Sequence, residues 1–183
     1  MTSDDVTLIA AGIAATASLV ALGFNIWNHR SSETRAALRV ILAPVVDELG
    51  ERIHEVVAMS TMMSKADSEQ SRLKWREQAA AAAEKLKRAR RRVRYSLWGL
   101  DEGLRTLART PDWISHLSAA PVSAKQLLDA SGELAEALDE AVRSAYLTGR
   151  PPKQKDVKKA DAAADKVRSL RDRIMGTDSS KRR

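Results

Sequence analysis

The sequence predicts an all-α protein, with one N-terminal transmembrane helix followed by a cytoplasmic bundle of about four long antiparallel helices with coiled-coil-like seams. Three observations lead there. Residues 6–27 form a run of 22 residues without a charge. From Leu38 onward apolar residues recur every three or four positions, the spacing of one helix face, and the period-two alternation of a strand is absent. The composition is 44% hydrophobic, yet 183 residues include one Phe, two Tyr, eight Gly and no Cys. That balance is too apolar for a disordered chain and too poor in aromatics and glycine for a β-sandwich or an α/β enzyme. Without Cys, a disulfide scaffold and a thiolate metal site are excluded.

The expected organisation is a short extracytoplasmic N-terminus (1–5), a membrane anchor (6–28), a cytoplasmic helical bundle (29–176) and a disordered basic tail (177–183). As a helix, the uncharged run would extend about 33 Å, against a hydrocarbon core of about 30 Å. Asp4 and Asp5 precede it, whereas His29, Arg30, Arg35 and Arg39 follow it. The positive-inside rule then places the N-terminus outside and the rest at the cytoplasmic side of the cell's inner membrane. Trp27 stands where an interfacial aromatic belongs. Two alternatives remain open. Ala15-Thr16-Ala17 has the small-x-small form of a leader cleavage site, although the preceding region is acidic and apolar sequence continues beyond it. Six alanines with Thr16, Ser18 and Asn25 would also suit a buried helix of a soluble bundle.

The small and polar residues of the run predict helix packing. Ala11, Ser18 and Asn25 are spaced by seven, Ala15 lies on the same side, and Gly12 with Thr16 makes a small-xxx-small pair. In lipid such residues let backbones approach and hydrogen-bond across the contact. Ala11, Gly12, Ala15, Ser18 and Asn25 are therefore the candidate anchor-packing residues, for self-association or for docking on another membrane protein.

Beyond the anchor, Leu38, Leu42, Val45, Leu49, Ile53 and Val56 carry one stripe to Met63, with Pro44 expected to kink the helix or mark its restart. A turn at 64–67 leads to the longest expected helix, 69–109, whose stripe runs through Ala79, Ala83, Leu86, Ala89, Val93, Leu97, Leu100, Leu104 and Leu107; Gly99 and Gly103 are its weak points. Thr110-Pro111 predicts a cap followed by a short helix through Trp113 to Leu117. Ser123-x-x-Gln126 has capping-box form and should open a helix ending at Gly149. The last helix, 152–175, should close at Gly176. Its seams, mostly Ala and Leu, bury little area per residue, so assembly between chains would add stability. Trp75, Trp98 and Trp113 are expected to pack in the core or at inter-helix corners.

Charge is unevenly placed. Residues 69–110 and 150–183 each carry +7, while 111–149 carry −4. The run 85–94, KLKRARRRVR, holds Lys85, Lys87, Arg88, Arg90, Arg91, Arg92 and Arg94 without an acid. These seven are the candidate contacts for anionic lipid or nucleic acid. The competing expectation is that they pair internally with Asp129, Glu133, Glu136, Asp139 and Glu140. The run lacks the interleaved aromatics of a stacking platform, which argues against nucleic acid.

No P-loop, G-x-G-x-x-G, H-E-x-x-H or G-x-S-x-G motif occurs. Glu51-x-x-His54 is half of a carboxylate-bridged di-metal motif, but there is no second copy, so no metal, cofactor or catalytic residue is expected. The functional expectation is a self-associating, membrane-anchored scaffold or adaptor, not an enzyme, presenting a partner-binding surface at the cytoplasmic face. Alternatives are a membrane-active effector of phage exclusion or envelope stress, whose oligomerised anchors perturb the bilayer, and a membrane-tethered nucleic-acid-binding protein.

Overall fold

The structure is a computed structural model that describes the backbone of residues 3–93, 96–117 and 120–180; side chains are described for 28–93, 96–97, 99–117 and 120–176. The described residues are all-helical: α1 (Ser3–Ser64), α2 (Glu69–Val93), a 3-10 turn (Trp98–Leu100), α3 (Asp101–Leu107), α4 (Thr110–Ser115), α5 (Pro121–Thr148) and α6 (Gln154–Ser180). Two compact units are present, Met1–Ala37 and Leu38–Arg183. Among the described residues no helix is long and apolar enough to cross a membrane. The expected anchor, with Ala11, Gly12, Ala15, Ser18 and Asn25, falls in the backbone of α1, and its side chains lie outside the described residues.

In the first unit, Ser32 and Thr34 return their hydroxyls to the carbonyls of His29 and Arg30, at 2.8 Å each. Arg35 holds Ser31 through Nη2–Oγ at 2.7 Å. The polar residues after the apolar run thus hydrogen-bond to their own helix.

The second unit is an up-and-down bundle whose directions are readable from its cross-helix contacts. Glu55 pairs with Lys85 and Glu48 with Arg92, so α1 and α2 are antiparallel. Thr110 meets Ser131, and a Cβ on Gly103 would lie 2.9 Å from Leu138 Cδ2, so α3 and α4 together run antiparallel to α5. Glu140–Lys159 and Glu133–Lys166 set α5 against α6 in the same way. Leu42, Leu49, Ile53 and Val56 of α1, Leu86 of α2, Leu104 and Leu107 of α3, Leu134 and Leu138 of α5, and Ala164 and Val167 of α6 share one core at 0–1% exposure.

The main correction concerns residues 69–109. Every residue of the expected stripe from Ala79 to Leu107 is buried, but on two antiparallel helices and the reversal between them instead of on one helix. The reversal is built from helix-like turns: Leu97 N–H donates to Val93 O at 2.8 Å and Leu100 N–H to Leu97 O at 2.8 Å. Because these turns preserve the three- and four-residue spacing, the apolar pattern continues across a change of direction. Gly99 sits at a close approach of α6, since a Cβ there would be 2.9 Å from Val157 Cγ2.

Helix ends also differ from expectation. α1 continues through Pro44, whose ring removes a hydrogen bond from the carbonyl of Val40 on an exposed face. Arg109, not Thr110, is the cap position of α4, and the Thr110 hydroxyl is buried against Ser131 at 3.3 Å. α5 opens at Pro121 without a side-chain cap, which leaves Ser123 inside the first turn. Gly149 does end α5, at φ 60°, with Arg150 N–H donating to Ala145 O and Gly149 N–H to Tyr146 O. α6 runs through Gly176 to Ser180, so helix extends past the expected boundary of the tail; 181–183 lie outside the described residues.

Candidate functional site: the basic helix and its partners

The basic run occupies the last turns of α2, where cations complement the negative end of the helix dipole. Four of its seven side chains have acidic partners within the unit. Lys85 Nζ lies 2.8 Å from Glu55, Arg92 Nη1 3.0 Å from Glu48, Lys87 Nζ 2.6 Å from Glu84 and Arg90 Nη1 3.6 Å from Asp101. Arg88 and Arg91 are exposed and have no ion pair among the described residues, and Arg94 lies outside them.

Pairing therefore occurs, but not with the helix expected to supply it. The acids belong to α1, α2 and α3, because α2 packs between α1 and the α3–α4 arm. The acids of α5 are taken elsewhere: Glu140 by Lys159 at 2.5 Å, Glu133 by Lys166 at 2.6 Å, and Asp139 by Arg143 at 2.9 Å. Asp129 and Glu136 have no ion pair with the basic run.

Glu55 is the most constrained of these carboxylates. Partial burial pushes its pKa up, but hydrogen bonds from Lys85 and Arg52 outweigh that and hold it below the ordinary glutamate value. Lys87 lowers Glu84, and Lys159 lowers Glu140, each mainly through a hydrogen bond. Depressed carboxylates contribute stability that is complete above the unfolded value of about 4.5 and is lost as pH falls through the lower folded values. Asp161 acts in the opposite sense, since burial and then Asp165 push it up. With three groups against one, the melting temperature should fall as the solution is acidified below about pH 4.5. Thermal melts of Glu55→Gln should show a shallower fall over that range; an identical acid limb would mean that Glu55 is not among the groups responsible.

The other expected features are placed as follows. His54 Nε2 lies 3.5 Å from Asp139 Oδ2 on α5, while Glu51 lies 3.3 Å from Arg52. No group of three or more potential metal ligands occurs among the described residues. Trp113 is buried in α4 with the Arg171 guanidinium 5.1 Å from its ring centre, and Trp75 packs half-buried against the core. The side chain of Trp98 lies outside the described residues.

Sequence reasoning missed a cleft of about 470 Å³ at the far end of the bundle, with Met63, Leu73, Ile114 and Leu117 as apolar lining and Arg72 and Arg76 at its polar side. Its walls come from segments some fifty residues apart, which no local motif signals. Comparison with protein-family models, curated proteins and solved structures finds no match to the chain.

Proposed function

We propose that the protein is a single-pass, membrane-anchored helical scaffold or adaptor. Its N-terminus lies outside, its bundle lies at the cytoplasmic face of the inner membrane, and it self-associates through the anchor. The observation that carries this reading is the uncharged run from Val6 to Trp27, bounded by Asp4 and Asp5 before it and by Arg30, Arg35 and Arg39 after it. The backbone over this run is helical as part of α1, which supports the reading because every peptide group within a bilayer must be hydrogen-bonded internally. The interior of the second unit also fits a scaffold: it is filled mainly by Leu, Ala and Val, with Ser60, Thr106, Thr110 and Ser131 as its buried polar residues among those described.

The test is carbonate extraction of membranes containing the full chain. The protein should stay in the pellet, and release into the supernatant would overturn the anchor. Disulfide cross-linking in native membranes of Ser18→Cys, in a chain with no Cys of its own, should yield a homodimer; monomer alone would remove the self-association.

A further inference from the structure

The α6 start carries charge in the place where a helix least favours it. Lys153, Lys155, Lys158 and Lys159 cluster at the positive end of the helix dipole, preceded by Arg150, with Asp156 as the acid of the first turn. Lys159 is held by Glu140. Arg150, Lys153, Lys155 and Lys158 are exposed and have no ion pair among the described residues. Four such cations at a positive helix end repel one another and the exposed peptide N–H groups, a conflict that an external anion relieves.

This cluster lies toward the same end of the second unit as the last turn of α2. Arg39 donates to Leu147 O at 2.8 Å, which brings the first turn of the unit beside the last turn of α5. Arg92 reaches Glu48, nine residues along α1 from Arg39 or about 13 Å at 1.5 Å per residue, and Gly99 abuts Val157 on α6, so the end of α2 and the start of α6 share one half of the unit. Three apolar side chains are exposed here: Val40 at 73%, Ile41 at 53% and Leu147 at 70%. At the opposite end both signs occur, with Lys65, Arg72, Arg76 and Lys125 on the same segments as Asp67, Glu69 and Asp112.

We propose that this end of the bundle seats on a layer of anionic lipid headgroups, with Arg150, Lys153, Lys155 and Lys158 as the contacts. The exposed Val40, Ile41 and Leu147 suit the apolar boundary under such a layer, as nucleic acid would not. The surface rests on the anchor reading in one respect: the chain enters the unit at Leu38, so an anchor upstream delivers this end to the bilayer.

The experiment uses the full chain with a single nitroxide at Gln154→Cys, mixed with vesicles of phosphatidylcholine alone or with phosphatidylserine added. Flotation reads the anchor, and collision of the nitroxide with a water-soluble relaxant reads the headgroup contact. The chain should float with both lipids, and phosphatidylserine should slow the collisions several-fold. High salt should abolish that protection, because the screening length falls to about 3 Å at 1 M. The exposed substitutions Arg150→Gln, Lys153→Gln, Lys155→Gln and Lys158→Gln, made together, should lose the protection, and the matching Lys→Arg variant should keep it. Flotation with phosphatidylserine vesicles alone supports the headgroup contact and overturns the anchor. Flotation with both lipids but no protection overturns the contact and leaves the anchor standing, and flotation with neither overturns both. Protection that persists in the Gln variant, or that is displaced by duplex DNA at low concentration, overturns the assignment to lipid.

Discussion

Nitroxides placed at Ala80→Cys on α2 and Asp112→Cys on α4 should couple strongly, because both positions line one cleft of about 350 Å³ between the two arms of the hairpin. Had residues 69–109 formed one continuous helix, Ala80 and Arg109 would lie about 44 Å apart at 1.5 Å per residue, with Asp112 three residues beyond. The two architectures therefore differ by most of the measurable range of a dipolar distance experiment. Both positions are exposed, so the labels should not disturb the core. A distance near the extended value would remove the hairpin, and with it the pairing of Arg90 with Asp101 across the reversal.

Leu138→Ala should be among the most damaging single substitutions in the bundle, at a cost of about 2–5 kcal/mol. Leu138 is fully buried and its Cδ2 lies against Gly103, where the missing side chain of α3 lets α5 approach. Removing three carbons opens a cavity that the glycine has no side chain to refill. The comparison is Val122→Ala, at a position 71% exposed, which should stay within about 0.5 kcal/mol of the parent. Urea unfolding followed by tryptophan fluorescence measures both, and equal midpoints for the two variants would show that the α3–α5 contact is not part of the core.

The salt bridges of the basic helix contribute much less individually. Lys85–Glu55 is partly screened and Arg92–Glu48 is largely exposed, and such pairs stabilise by about 0–1 kcal/mol. Their structural value lies in register: both fit a single antiparallel alignment of α1 and α2, as Glu140–Lys159 and Glu133–Lys166 do for α5 and α6.

By itself, the sequence determined the all-helical class, the buried faces and the clear end of α5 at Gly149. These are local consequences of spacing and backbone freedom, and they hold for Leu42, Leu49, Ile53, Leu134, Leu138, Ala160 and Val167 as read. The basic run at 85–94 was equally legible, because it is contiguous. Only the tertiary structure decided that the stripe from Ala79 to Leu107 folds back on itself, since a turn made of helix-like hydrogen bonds keeps the same three- and four-residue period as a straight helix. It also decided which acids meet the basic helix: Glu48 and Glu55, not the acids of α5. Likewise it brought Arg150, Lys153, Lys155 and Lys158 into the same half of the unit as the last turn of α2. Partner choice among charges depends on which helices are neighbours, and a periodic apolar stripe states that a face is buried without stating against what.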